Sequence, residues 1–244
     1  MTCHNDKMDN MMKKMLLLMA AALPFVFISC NDDKDEPVTP EEHEYVDLGL
    51  TSGTLWATCN VGATAPEEYG YYFAWGETSP KTEYTEENYK WCNGSIFTLT
   101  KYNLRPEYGT VDFKYELDTE DDAACVNWGP SWRMPTTEQQ RELLYECNWE
   151  WTTRKGVNGR LGTGPNGKTI FLPAAGYCNG NVNEYAGTRG VYWSSSPHST
   201  MPFCAFVLHF DSGDFDSGDM IDIWWGFYGR QGGGSVRAVR VSQD

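Results

Sequence analysis

Three short segments of this 244-residue chain carry residue types whose spacing could do chemistry. Gly162-Thr163-Gly164-Pro165-Asn166-Gly167-Lys168-Thr169 fits both the P-loop and the G-x-G-x-x-G patterns, in which free amides at a helix start cradle phosphates. Such a loop needs a buried strand before it and a helix after it. Arg160-Leu161 is too short and polar for the first, and Thr169 to Pro173 is a β-type run ended by proline. A Pro-Asn-Gly hairpin turn therefore explains the glycines better than a nucleotide does. Asp211-Ser212-Gly213-Asp214-Phe215-Asp216-Ser217-Gly218-Asp219 concentrates carboxylates that calcium could use. The EF-hand pattern fails, because Trp225 stands twelfth from Asp214, where a bidentate Glu belongs, and a solvated hairpin tip is expected instead. Cys204 and His209 suggest a thiol and its base, but an offset of five puts them on opposite faces of a strand. No acid, base or nucleophile set stands out, so no enzymatic activity and no cofactor are expected.

A fourth reactive position lies near the start of the chain. Lys13 and Lys14 precede an apolar run from Met15 to Ile28, interrupted only by Pro24, and Ser29 and Cys30 follow. Fourteen residues of helix rise about 21 Å, short of the ~30 Å hydrocarbon core, so the run reads as a signal-peptide segment spanning residues 1–29 rather than a membrane span. Phe27-Ile28-Ser29-Cys30 resembles a bacterial lipoprotein cleavage box, which makes Cys30 the expected site of lipid attachment. Residues 1 to 10 form a polar prefix, and Met11 or Met12 is an alternative start. Loss of residues 1–29 removes three lysines and two aspartates and takes the net charge from −15 to −16. That balance argues against a nucleic-acid partner, which requires clustered Lys and Arg.

Residues 30–44 read as an acidic tether containing Pro37 and Pro40. Asn31-Asp32-Asp33-Lys34-Asp35-Glu36 resembles the export signal of surface-displayed lipoproteins, and solvation of the tether is an equal explanation. An outer-membrane, surface-exposed location follows from the first reading.

The remaining segment, residues 45–244, contains all ten tryptophans and must supply the core. Six cysteines, Cys59, Cys92, Cys125, Cys147, Cys178 and Cys204, allow up to three bridges, but their wide spacing fits mostly free, buried thiols better. There is no C-x-x-C, and His43, His198 and His209 are the only histidines beyond the leader, so no metal site is expected.

Asn93-Gly94, Asn158-Gly159, Asn166-Gly167 and Asn179-Gly180 each predict a tight turn between short strands. Two segments predict helices. Asp118 or Thr119 could cap one, with Glu120-Asp121-Asp122 as an acidic first turn. Thr136 and Gln139 make a capping-box pattern for the other, with Leu143, Leu144 and Cys147 on its buried face. The fold class expected is α+β: small, twisted, mostly antiparallel sheets with two short helices.

Several ordered blocks carry a family resemblance: Tyr45-Val46-Asp47-Leu48-Gly49-Leu50, Leu55-Trp56-Ala57-Thr58, Asn60-Val61-Gly62, Phe73-Ala74-Trp75-Gly76-Glu77, Trp132-Arg133-Met134-Pro135-Thr136, Leu172-Pro173-Ala174-Ala175-Gly176, Tyr192-Trp193-Ser194-Ser195 and Ser235-Val236-Arg237. Together they resemble the Fibrobacter succinogenes major paralogous domain, a family abundant in lipoproteins of gut Bacteroidales, across residues 45 to 241. The resemblance implies a C-type-lectin-like fold whose termini pair near one another. It also implies that the late part of the chain forms a ligand face, a segment that some bacterial relatives diversify by retroelement-driven mutagenesis.

Aromatic residues interleaved with Gly, Ser and Asp make surfaces of large contact area at low entropy cost. Residues 197 to 230 have that composition. The candidate ligand-binding residues are His198, Phe203, His209, Trp224, Trp225, Phe227, Tyr228 and Arg230, while Trp193, Phe206 and Phe210 are assigned to the core. Trp224 and Trp225 are adjacent, so in a strand one of them must face outward. The expected function is recognition or adhesion, with a protein or glycan as the partner. The alternative is a structural subunit of an envelope complex or adhesive appendage.

Overall fold

The computed structural model describes residues 43–212 and 223–241, all within the unit Pro40–Asp244. The leader, Cys30 and nearly all of the tether lie outside the described residues, as does the Asp-rich segment after Ser212. Among the described residues, no helix is long and apolar enough to cross a membrane.

The observed class is α+β, with small and predominantly antiparallel sheets. The first sheet has the order β1 (Tyr45–Asp47), β2 (Thr54–Ala57), β13 (Val239–Val241). The first and last strands therefore flank one shared partner, and Trp56 of β2 stands between Val46 and Val239.

The central sheet runs β11 (Ile223–Gly229), β10 (Cys204–Asp211), β9 (Arg189–Pro197), β12 (Gly234–Ser235), β3 (Tyr72–Phe73). Alternate side chains of β9 and β10 enter two different cores, as strand periodicity requires. Val191, Trp193, Ala205 and Val207 pack with Phe73, Trp75 and Tyr102. Tyr192, Leu208 and Phe210 pack with Trp56, Leu143 and Leu172. A sheet buried on both faces explains why β9 reads as a nearly continuous buried run. The β9–β10 register shifts between Ala205 and Val207, where Ser194 Oγ donates to Phe206 O at 3.0 Å.

A meander, β4 (Asn148–Arg154), β5 (Val157–Thr163) and β6 (Thr169–Pro173), and a hairpin, β7 (Tyr177–Asn179) and β8 (Val182–Glu184), complete the sheets. The P-loop-like run is the β5–β6 hairpin. Gly164 N donates to Lys168 O at 2.9 Å, and Gly167 N donates to Gly164 O at 2.9 Å. The preceding flank is in fact a seven-residue strand, contrary to the sequence reading, but a second strand follows where a phosphate loop needs a helix.

Asn158-Gly159 is not a turn. Residues 154 and 157 pair directly, so the two-residue turn is Lys155-Gly156, both with positive φ (46° and 83°), as a type I′ hairpin requires. Gly159 sits inside β5 because a Cβ there would lie 2.3 Å from Leu172 O.

Among the described residues there are two α-helices, α1 (Ala123–Trp128) and α2 (Thr137–Glu146). Thr136 and Gln139 close the expected capping box on α2. The cap of α1 differs from expectation. Thr119–Asp121 forms a separate 3-10 turn, and Asp122 caps the helix by accepting from Ala124 N and Cys125 N. Its second oxygen accepts from Met134 N at 2.8 Å. Asp122 is thus a buried junction, and burial raises its carboxyl pKa against these backbone hydrogen bonds.

All six described cysteines are free thiols. Cys59, Cys147 and Cys204 are buried, while Cys92, Cys125 and Cys178 are only partly so.

Candidate functional site

Six of the eight late-chain candidates have described side chains, and these separate into interior and surface groups. Arg230 is interior, with 0% exposure. Its Nε donates to Tyr89 Oη at 3.0 Å, Nη1 to Pro202 O at 2.6 Å and Tyr102 O at 3.2 Å, and Nη2 to Lys101 O at 3.1 Å. The guanidinium also lies 4.4 Å from the Trp75 ring centroid. A cation so completely engaged ties the loop of residues 89–102 to the central sheet, and it cannot meet a ligand.

His209 is also interior, at 6% exposure, with its ring 5.9 Å from Tyr228. Burial, reinforced by Arg189 and opposed by Asp211, lowers its imidazole to about 4. Burial pushes the Cys204 thiol up to about 11, with Arg230 opposing. At neutral pH the thiol is therefore protonated and the imidazole neutral. Tyr228 is half-buried, 4.7 Å from Tyr177. Trp225 pairs with Leu208 and Trp224 with His209 along β10–β11, but their side chains lie outside the described residues.

Two of the remaining candidates, His198 and Phe227, reach the surface together, with Phe206 in contact. His198 follows β9, and its Nδ1 accepts from Thr200 N at 3.2 Å and Met201 N at 3.1 Å, which leaves the proton on Nε2. The fixed ring lies 4.8 Å from Phe206 and 4.8 Å from Phe227. Those two phenylalanines are directly paired in the β10–β11 register, so strand pairing places both on one side of the sheet. Phe227 is 49% exposed, and burial lowers the His198 pKa. Phe206, assigned to the core from sequence, is half-buried and belongs to this cluster.

Phe203 joins a second cluster. Its ring is 5.2 Å from Tyr108, which stacks on Phe97 at 5.7 Å and 8°. Phe97 is exposed. The sequence reading missed Phe97 and Tyr108 because both precede the late segment. Leu99 N donates to Tyr108 O at 2.7 Å and Thr110 N to Leu99 O at 2.8 Å, and this loop pairing sets up the stack. Isolated aromatics among polar loop residues were the available signal.

Asp118, Glu120 and Asp121 are the one group among the described residues spaced to share a metal ion. Lys101 Nζ lies 2.6 Å from both Asp118 and Asp121, Lys90 lies 2.9 Å from Asp121, and Lys114 pairs with Asp118. Burial works against the Asp121 charge, but hydrogen bonds from Lys101, Tyr102 and Lys90 outweigh it and keep the pKa low. Lysine ammoniums thus already neutralise these carboxylates.

The surface clusters offer ring faces, ring edges and one imidazole N–H, a chemistry of contact rather than of bond making. Comparison with protein-family models, with curated proteins and with solved structures gave no match to this chain.

Proposed function

We propose that this chain is a lipid-anchored envelope protein whose C-type-lectin-like domain recognises a protein or glycan through the aromatic surface formed by His198, Phe206 and Phe227, with Phe203 on the adjoining loop. The observation that carries this reading is the half-exposed Phe227, held against an imidazole that is itself fixed by two backbone amides. A pre-ordered aromatic at a surface loses little entropy when a partner covers it. The lectin-like assignment is supported by the first and last strands sharing β2 and by the two short helices beside small sheets. The anchor rests on Cys30 and its preceding apolar run, and the outer-membrane location on the acidic tether. Recognition rather than catalysis is favoured by a protonated Cys204 and a neutral His209 on opposite faces of β10.

One observation favours a second reading as an assembly subunit. β11 is an outer strand of the central sheet, seven residues long, and Ile-Trp-Trp-Gly-Phe-Tyr-Gly has neither charge nor proline. Natural edge strands are commonly blunted by both, so strand addition by another subunit is a coherent use of this edge.

Protease shaving of intact cells tests the location on which both readings depend. The domain should be released while periplasmic markers remain protected, and mass spectrometry should find Cys30 acylated. A protected domain or an unmodified N-terminus would contradict the proposal.

A further inference from the structure

A cleft of about 370 Å³ lies away from the aromatic surface, against α1 and the loop after β2. That volume falls in the range of small-molecule sites, roughly 300–1,000 Å³. Its walls are Tyr71, Trp128 and His43, with Gly62 and Gly129 at its borders and Asn127 at its rim.

The Tyr71 ring is 49% exposed and rigidly placed. Its backbone N donates to Val61 O at 2.9 Å, and its ring packs edge-on to Phe73 at 6.4 Å. Beneath it Gly62 has φ +82°, and a Cβ there would fall 2.3 Å from Tyr71 Cδ2. The absence of a side chain at Gly62 is what lets the ring settle. His43 stacks on Trp128 at 4.0 Å and 19°. Asn127 spends both amide hydrogens, on Thr78 O at 3.0 Å and Ala123 O at 2.7 Å, so Oδ1 is its remaining group for a ligand hydroxyl. At Gly129 a Cβ would meet nothing within 4 Å, so the border is open.

No Lys, Arg, Asp or Glu is among the described residues lining the cleft, in a chain with a net charge of −15. Among these described residues an anion finds no cation, and an ammonium finds no carboxylate. The chemistry that remains suits a neutral ligand with a flat C–H face and edge hydroxyls. The electron-rich face of an aromatic ring attracts such C–H groups, and the Asn127 carboxamide oxygen can accept from a hydroxyl. We infer that the cleft between Tyr71, Trp128 and His43 binds a neutral pyranose, as a terminal sugar of a glycan. This site does not depend on the aromatic surface around Phe227.

Saturation-transfer NMR on the full-length chain tests it, with methyl β-glycosides of glucose, galactose and N-acetylglucosamine as neutral probes and methyl β-glucuronide as the charged one. Titration to about 20 mM covers millimolar affinities. At least one neutral glycoside should receive transfer at its ring C–H protons, and the glucuronide should bind more weakly. Tyr71→Ala should weaken binding about tenfold. Tyr71→Leu, which keeps apolar bulk without a flat face, should do the same, and Tyr71→Phe should retain binding. Near-UV circular dichroism checks that each variant is folded. Absence of transfer from all neutral probes, equal binding of the glucuronide, or full binding by Tyr71→Leu would overturn the assignment. Loss of binding in Phe227→Ala but not in Tyr71→Ala would also overturn it, while moving the sugar to the aromatic surface and leaving the proposed function intact.

Discussion

Arg230 Nε donates to the hydroxyl of Tyr89 across 3.0 Å, joining residues 141 positions apart. Tyr89 Oη in turn donates to Trp75 O at 2.7 Å, so one guanidinium organises a loop, the central sheet and a buried indole. Burial raises the Tyr89 pKa, with Arg230 opposing. Arg230→Ala would strand four acceptors, three of them in buried hydrogen bonds, and the loss should be about 3 kcal/mol or more. Arg230→Lys should recover little of it, because an ammonium cannot reproduce the planar fork of donors. Urea unfolding measures both, and a loss within about 0.5 kcal/mol, as for a surface residue, would refute the interior role.

The backbone at Gly159 makes a sharper steric demand. Any Cβ there meets Leu172 O at 2.3 Å and the Phe171 ring at 2.7 Å, and a carbonyl within a paired strand has no room to retreat. Gly159→Ala should cost roughly 2 to 4 kcal/mol. At Gly94, where a Cβ has open space but φ is +76°, the same change should cost only about 1 kcal/mol. Thermal melts of the two variants should therefore separate clearly, and similar melting temperatures would contradict this account of β5–β6 packing.

His209 gives the stability a pH dependence. Its imidazole titrates near 4 in the native chain and near 6.5 when unfolded. Between those values the unfolded chain binds a proton that the native chain refuses. The stability due to neutral His209 is therefore complete above about pH 6.5 and declines as pH falls toward 4, by up to about 1.4 kcal/mol per unit. His209→Leu should flatten this part of the profile relative to the parent chain. Parallel profiles from pH 7 to 4.5 would mean that His209 is not buried in its neutral form.

The thiols should report burial directly. Burial raises Cys147, Cys178 and Cys204 to about 11, whereas a free cysteine titrates near 8.5. At pH 8 their native alkylation by iodoacetamide should be about a hundredfold slower than in the denatured chain, since only the thiolate reacts. Mass mapping that found these three labelled at denatured rates would show the packing around them to be wrong.

Much of the scaffold was legible because its signals are local. Thr136 and Gln139 are three residues apart and form their capping box as read. Trp193 and Phe210 are in the core, and Asn166-Gly167 turns the β5–β6 hairpin. The family-like blocks prove to be mutual partners. Trp75 Nε1 donates to Ser194 O at 2.8 Å, Trp193 Nε1 to Phe73 O at 2.7 Å, and Arg237 Nε to Asn60 Oδ1 at 2.9 Å. They specify scaffold and leave the surface open.

The candidate site was less legible because exposure depends on distant partners. Arg230 looked like a surface cation until Lys101, Tyr102 and Pro202 supplied its acceptors. His209 is interior because β10 is covered on both faces. Phe206 lies near the start of β10 and is only half-buried, although Leu208 and Phe210 further along the same face are core, and nothing within its own segment signals that. The Asn158-Gly159 turn failed because Lys155-Gly156 closes the hairpin three residues earlier.

The recognition surface itself is tested most directly by binding of the full-length chain to a combined glycan and protein array, with Phe227→Ala and His198→Ala measured in parallel. Both side chains are at least partly exposed, so each variant should unfold within about 1 kcal/mol of the parent. The account predicts a specific array signal that drops about tenfold or more in each variant, as for hot-spot aromatics. An unchanged signal in both folded variants would contradict it.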